Sequence, residues 1–593
     1  MAQDKKLQKL ELTWVGKYDE QQPLEPRILI ENPEYSYGEV EAEMLPNGKP
    51  WKGNMLIHGD NLLALKALEQ DYAGCVKCIY IDPPYNTGSA WEFYDDAIEH
   101  SLWLELMRGR LNELRRLLSD DGCIFMHIDN SEQAYLKVLS DEVFGRNNFI
   151  TTFSVKVRHS DRMLKGDKDI HDVVEYIHMY QKTDAFKIQK RQKTESEDIY
   201  NGYEYYVEEL TEGEEILLGG RNCRKFNVGE YKITRQNTSS TGFKKMNIRG
   251  SLREGNSSGR FYVAHIEGRI DIDGFNTLYK VPNMGDDYLG SRYFLARENE
   301  TKKNGHYFQG MPLTRSTSKE LPYPSFFDFQ AEFNRVGYEG VVQFRNSKKP
   351  ERLIKQMFDI AGVNANDLVL DSFLGSGTTA AVAQKMGVKY IGVELGDHAY
   401  SHCFPRLKAV IRGEDSAGIT ELCNWKGGGG FRFYELAPSL LKEDKFGNLV
   451  INKEYNADML AAAMAKQEGF TYEPSAEHYW KQGYSHESDY IYTTTQFMTV
   501  EGLAAIAEQM KEGESLLVCC TAFQKECRSA FPNITIKKIP QMLLGRCEFA
   551  HDDYSLNIVE LPVVEEGEFE EEQDEAIEEV AAAPAEETQQ ELF

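Results

Sequence analysis

Asp82-Pro83-Pro84-Tyr85 places a carboxylate, two rigid prolines and an aromatic ring directly after Cys78-Ile79-Tyr80-Ile81, an apolar run that reads as a short buried strand. Proline fixes φ and has no backbone donor, so this segment offers the Asp82 carboxylate and backbone carbonyls as acceptors, a pocket for a flat NH2 group. The Tyr85 ring adds a face on which an extruded nucleic-acid base can lie. Taken alone, the tetrapeptide also fits a rigid strand-exit turn. A second set lies far downstream. Asp367 to Asp371 reads as a strand, Ser372 to Gly377 as a tight loop, and Thr378 to Met386 as a helix. Gly375 and Gly377 let the backbone approach a ligand closely at the C-terminal edge of a parallel sheet. The next strand, Lys389 to Val393, ends in Glu394, 23 residues after Asp371, the spacing at which an acid meets ribose hydroxyls in dinucleotide sites.

Together these motifs resemble the S-adenosylmethionine-dependent amino-methyltransferases of DNA, in the permuted beta class whose catalytic tetrapeptide precedes the cofactor loop. Asp82 to Gly88 is similar to the adenine-N6 form of the catalytic motif, and Asp371 to Thr379 to the cofactor motif; Leu56 to Asn61 and Lys348-Lys349-Pro350 match further motifs. The resemblance covers about residues 50 to 412 apart from the middle. The chain length, the Gly427 to Leu436 segment and the additional C-terminal region most resemble modification subunits of type III restriction-modification systems. The resemblance implies an α/β fold: a Rossmann-like methyltransferase sheet with permuted motif order, a large target-recognition insertion and a small C-terminal α/β domain. It implies adenine-N6 methylation with S-adenosylmethionine as cofactor and no metal. Asp82, Pro83, Pro84 and Tyr85 would be catalytic, the Asp82 carboxylate and the Pro83 carbonyl accepting the two amine hydrogens. Asp60, Lys349, Asp371, Phe373, Gly375, Gly377, Thr378 and Glu394 would hold the cofactor, with Phe373 packing on it, Glu394 at the ribose, and Asp371 with Asp82 near the methionine amino group. Asp60 suits two roles, at the cofactor's adenosine or as the N-cap of a helix from Asn61. A homodimer on double-stranded DNA is implied, with cleavage by a separate helicase-nuclease subunit, because no phosphate-binding loop ending Gly-Lys-Ser/Thr occurs here. Methyl transfer to RNA or a protein amide, a stand-alone DNA methyltransferase, and a DNA-binding module with a relic catalytic fold are the alternatives.

The elements that must position these residues can be read from periodicity. Ser101 to Ser119 is helical, with Leu102, Leu106, Leu111, Leu114 and Leu118 at helix spacing; Cys123 to Ile128 is a buried strand and Glu132 to Phe144 a second amphipathic helix. His171 to Tyr180 reads as a strand returning to the catalytic sheet. The resulting division is an N-terminal extension over 1–50 that packs on the core, catalytic halves over 51–150 and 341–426, and a target-recognition insertion over 151–340. Gly427 to Gly430 mark a boundary, followed by an α/β interaction domain over 431–564 and an acidic tail over 565–593. In the interaction domain, strands are expected at Ser515 to Ala522, Ile534 to Ile539 and Leu556 to Leu561, and a helix at Val500 to Met510.

A net charge of -28 is unevenly distributed. The tail from Glu565 carries 13 acids and no Lys or Arg, a composition that behaves as a disordered tether. Arg221 to Arg260 holds ten Lys or Arg against Glu230 and Glu254, and Arg221, Arg224, Lys225, Arg235, Lys244, Lys245, Arg249 and Arg253 are the expected phosphate contacts; a solvated loop face is the alternative. The terminus Gln589-Gln590-Glu591-Leu592-Phe593 resembles the Gln-x-x-Leu-Phe peptides that bind the bacterial sliding clamp, with Gln589, Leu592 and Phe593 as contacts, or is a chance sequence. Cys75-Val76-Lys77-Cys78 lacks a second pair at zinc spacing and reads as two buried thiols. With no signal peptide and no apolar run near the roughly 20 residues that span a bilayer, a cytoplasmic protein is expected.

Overall fold

The computed structural model describes residues 11–554 except 15, 19–21, 41, 46–47, 49, 86–95, 161–169, 195–199, 254, 303, 314–317, 343, 345–347 and 487. The chain forms two units, Ile188–Pro324 and the remainder on either side of it.

The larger unit is organised by an eleven-stranded sheet. Its strands are β1 (Leu29–Glu31), β2 (Tyr37–Gly38), β3 (Asn54–His58), β4 (Val76–Ile81), β5 (Leu118–Ile128), β6 (Phe149–Lys156), β7 (Val174–Gln181), β8 (Phe326–Asp328), β9 (Leu368–Asp371), β10 (Lys389–Glu394) and β11 (Gly430–Leu436). The order across the sheet is β1-β11-β3-β10-β9-β4-β5-β7-β6-β8, with β2 also on β11. From β11 to β5 all neighbours are parallel, while β7 runs antiparallel to both β5 and β6. The central strands are buried along almost their whole length, which is why they read as continuous apolar runs. Helices α1 (Asn61–Tyr72), α2 (Asp96–Leu117), α3 (Gln133–Ser140), α4 (Glu351–Ala361), α5 (Thr378–Met386) and α6 (Phe404–Arg412) accompany this sheet. From β9 the chain passes through α5 to β10 on one side, and from β4 through α2 to β5 on the other. The point between β9 and β4 is therefore a topological switch, outside whose carboxyl ends open α/β sheets bind ligands. The permuted order expected from sequence is realised here, since β4 precedes β9 by nearly 300 residues yet pairs with it, Ile79 opposite Leu370.

Local expectations hold with adjustments. Helix α2 buries Trp103, Met107, Leu111 and Leu114, while Leu102, counted in the apolar stripe, is exposed; Leu118 already belongs to β5. Cys78 is buried in β4 opposite Cys123 of β5, as a thiol in a strand should be. In the N-terminal extension Leu12 and Trp14 pack on the core, Trp14 Nε1 donating to Glu105 at 3.1 Å, and β1 goes further by joining the sheet.

Three expected boundaries move. Gly427 to Gly430 do not separate the catalytic fold from the next domain, because β11 pairs in parallel with β3; its alternating Phe-Arg-Phe-Tyr pattern is that of a strand beside the sheet's parallel core. The insertion begins near 188 rather than 151 and ends near 324 rather than 340, because β6, β7 and β8 extend the catalytic sheet. His171 to Tyr180 does return to that sheet, as β7.

Beyond β11, a five-stranded sheet runs in the order Thr471–Tyr472, Gly483–His486, Asp489–Met498, Ser515–Phe523, Ile534–Lys538, with helices Ala457–Gln467 and Val500–Ala507. The strands at 515 and 534 and the helix at 500 match expectation; Leu556 to Leu561 and the acidic tail lie outside the described residues. The unit Ile188–Pro324 is built on a six-stranded antiparallel sheet around Tyr279, Phe294, Tyr307 and Phe308, with helix Ser257–His265 packed through Phe261 and Tyr262.

Candidate active site

The end of β4 carries Asp82, which Tyr85 and Lys349 contact directly, with Glu175, His127 and Tyr80 behind them. The Tyr85 hydroxyl donates to Asp82 Oδ1 at 2.7 Å, and Lys349 Nζ lies 3.0 Å from Asp82 Oδ2 while donating to the Tyr85 hydroxyl at 2.8 Å. Glu175, from β7, stands 3.6 Å from Lys349 and 2.8 Å from His127 Nε2, whose other ring nitrogen meets the Tyr80 hydroxyl at 2.7 Å. Burial alone would raise the Glu175 proton affinity, but Lys349, His127 and Arg158 outweigh it and hold the carboxyl well below the ordinary range. Burial disfavours the Lys349 ammonium, yet Asp82 and Glu175 more than compensate and its pKa rises. Burial, then Asp82 and Glu175, push the Tyr85 phenol well up, so it stays a donor. The Pro84 carbonyl is committed to Trp103 Nε1 at 2.9 Å.

One strand away, β9 ends in Asp371. Phe373 N–H donates to Asp371 Oδ1 at 2.9 Å and the Thr379 hydroxyl to Oδ2 at 2.6 Å. Burial, and to a smaller degree the charges of Asp82 and Glu394, push this carboxyl up to about 7 despite those donors. The loop turns through Gly375 and Gly377 with φ of +55° and +80°, a region costly for other residues. Among the described residues, and apart from Gly375 and its chain neighbours, no atom lies within 4 Å of where a Cβ on Gly375 would sit, so the loop leaves an open cradle there. Glu394 ends β10 beneath it, accepting from Gly375 N–H at 2.7 Å and Gly396 N–H at 3.0 Å. Ser372 Oγ is buried without a hydrogen-bond partner among the described residues.

A model of the family described as DNA methylase matches residues 76–403, from β4 through the cofactor loop to the start of α6. The chain belongs to that family. Among curated relatives, the methylase is 35% identical over 409 residues to the HindVI Mod subunit of Haemophilus influenzae, named a probable type III restriction-modification enzyme; the match covers 65% of this chain and 54% of that one. It is 28% identical over 404 residues to the type III StyLTI Mod subunit of Salmonella typhimurium, covering 62% and 55%. The chain thus spans about half the length of the curated relatives it matches. Among solved structures, the M1.HpyAVI–SAM complex aligns over 60% of this chain and 98% of that one, with 13% identity and a TM-score of 0.28.

Several expected site residues sit differently. Lys349 touches Asp82 and Tyr85, just before Pro350, the N-cap of α4. Asp60 is an N-cap: Oδ1 accepts from Leu62 and Leu63 N–H, and Oδ2 from Arg110 and from Tyr554 N–H. Its neighbour Asn61 reaches the loop instead, donating to the Ser372 carbonyl at 2.7 Å. Thr378 is turned under the loop, where its hydroxyl accepts from Arg406 at 2.8 Å; Phe373 is half-buried against the core. Arg406 also binds Glu351 at 2.9 Å, and Glu351 binds Lys385 at 2.7 Å, a buried ionic support that sequence reasoning missed.

In the Ile188–Pro324 unit, the expected cations divide. Arg221 donates to the Pro282 and Asn283 carbonyls; Arg224 lies 3.7 Å from Glu215, Lys225 2.6 Å from Glu214, and Arg235 2.8 Å from Glu204. Lys245 is half-buried, 6.0 Å from the Tyr205 ring, while Lys244, Arg249 and Arg253 are exposed. The pairing has a simple cause: strands Tyr205–Glu209 and Glu214–Leu218 pair with the basic strands, and residues 200–220 bring six acids and no base against them.

Proposed function

We propose that this DNA methylase transfers a methyl group from S-adenosylmethionine to the N6 amine of an adenine extruded from DNA. The observation that carries the reading is the placement of Asp82, followed by two prolines and Tyr85, beside Asp371 and the glycine loop at one switch point of the sheet. The adenine amine is a poor nucleophile because its lone pair is delocalised into the ring. Asp82 and the Pro83 carbonyl accept its two hydrogens and favour the tetrahedral geometry in which that pair becomes available, stabilising the charge that develops. The residues at β9 fit the cofactor: Asp371 for its ammonium, the Gly375 cradle for close backbone approach, Glu394 for ribose hydroxyls, and unpartnered Ser372 for a further polar atom. When bound, S-adenosylmethionine supplies an electrophilic methyl group. Holding that methyl in line with the amine contributes through proximity.

The similarity to Mod subunits supports a narrower reading, a type III modification subunit acting as a homodimer with a separate helicase-nuclease partner in the cytoplasm. The test is incubation of the purified chain with unmethylated genomic DNA and S-adenosylmethionine, followed by mass spectrometry of the nucleosides. N6-methyldeoxyadenosine, lost in Asp82→Ala while cofactor binding persists, is the expected result; N4-methyldeoxycytidine would overturn the adenine assignment. Mapping the methylated sites then bears on the system: a motif methylated on one strand only is the expectation for type III.

A further inference from the structure

In the protein alone, each oxygen of the acid that faces the target amine already carries a donor, one of them a full positive charge. Asp82 Oδ1 accepts from Tyr85 and Oδ2 faces the Lys349 ammonium at 3.0 Å. That one ammonium is shared with a second carboxylate, Glu175, at 3.6 Å. The Lys349 and Glu175 side chains are each 8% exposed, against 19% for Asp82, so the exchange partner lies deeper than the catalytic acid. Glu175 is itself held from the other side by His127 and, at 3.8 Å, by Arg158. The Tyr85 hydroxyl, which bridges Lys349 and Asp82, also lies 3.4 Å from Glu175.

An N–H donor arriving at Asp82 meets a carboxylate whose charge the Lys349 ammonium already offsets, so Asp82 accepts more strongly once that ammonium moves away. A buried ammonium deprived of its counter-ion is costly, so it must be received elsewhere. We infer that Glu175 is a positioning residue that takes the Lys349 ammonium over from Asp82 when the target base enters, freeing Asp82 to accept from the amine. This rests on the methyl-transfer reading above. Both carboxylates and the ammonium remain, so the net charge of the cluster is unchanged through the exchange. Only a short displacement is needed, because Lys349 already lies within reach of both acids. With a neutral side chain at 175, Lys349 would rest on Asp82 alone and weaken it as an acceptor.

The test is tritium transfer from labelled S-adenosylmethionine to unmethylated genomic DNA. Glu175→Gln is expected to lower kcat roughly tenfold or more with cofactor affinity unchanged. Adding Lys349→Met to Glu175→Gln is expected to raise the rate above that of the single variant, because the misplaced cation is gone. A residue that merely props the fold would give a double variant as slow as the single or slower. Glu175→Gln turning over at the wild-type rate, or no recovery in the double variant, overturns the inference. Should Glu175→Gln fail to fold, the same pair is measured with Glu175→Asp, whose shorter carboxylate holds Lys349 less well and whose rate Lys349→Met should again raise. Wild-type protein that transfers no label to DNA would instead sink the methyl-transfer reading itself.

Discussion

Asp371→Asn should stabilise the free protein near neutral pH while abolishing tight S-adenosylmethionine binding. Burial lifts the Asp371 carboxyl from the ordinary 3.8 to about 7. A group whose folded pKa is raised contributes stability that is fully present below its unfolded value and is lost as pH rises through its folded value. The window is therefore about pH 4 to 7, and above it the contribution is flat. Taken between about pH 5 and pH 8, two units of that window are crossed, a loss on the order of 3 kcal/mol. Asparagine carries no such dependence and keeps the local bonds: its carbonyl accepts from Phe373 N–H, and its amide donates to the Thr379 hydroxyl, which can accept as well as donate. The melting temperature of the variant minus that of the wild type should thus rise by about 3 °C across this range, since unfolding entropy grows with size and a unit this large shifts on the order of 1 °C per kcal/mol. The ligand shows the opposite trend. A cationic amine binds the ionised carboxylate, so wild-type affinity should fall roughly tenfold per unit as pH drops below about 7. Paired melts of the two proteins and titration calorimetry at several pH values check both statements. A melting difference independent of pH, or an Asp371→Asn protein that binds S-adenosylmethionine as the wild type does, refutes the placement of the ammonium at Asp371.

Replacing Arg406 by Met should cost about 3 kcal/mol or more in urea unfolding, because Glu351 loses one of the two cations that hold it in the core, and it should weaken cofactor binding through the Ser376–Thr378 turn. Replacing Lys244, Arg249 and Arg253 together by Ala should lower the log-log salt slope of duplex binding by roughly 0.9 per lost contact, measured by fluorescence anisotropy at several salt concentrations. The matching replacement of Arg224, Lys225 and Arg235, whose charges are already paired, should leave that slope nearly unchanged; the reverse ranking would move the DNA surface elsewhere. Leu592→Ala with Phe593→Ala should abolish capture by purified sliding clamp without affecting methyl transfer, and equal capture by both tails would reduce the terminus to a chance sequence.

What could be read in the sequence was whatever is encoded in a contiguous run. Asp82 to Tyr85, the glycine loop and Glu394 each follow a strand whose apolar residues announce it, and the sheet brings them to one edge because parallel strands share a carboxyl end. Charge carried less well than pattern. Counting Arg221 to Arg260 by itself gave a cationic patch, but strand pairing brings in the acids of residues 200–220, and no local window contains that pairing. The boundary glycines misled for a related reason: four consecutive glycines describe a permissive backbone, whereas β11 is a strand of the catalytic sheet because β3 lies open to it from nearly 400 residues earlier. Glu175 offered the one signal that was passed over. It is the second residue of an apolar strand, buried between Val174 and Tyr176, and a carboxylate in such a place must be paired or coordinated to be tolerated. Its partners, Lys349 and His127, come from distant segments, so sequence alone could say that a cation must be near Glu175 but not which one. That cation is also the one on Asp82, so the least conspicuous acid of the run shares its counter-ion with the carboxylate of the Asp-Pro-Pro-Tyr segment.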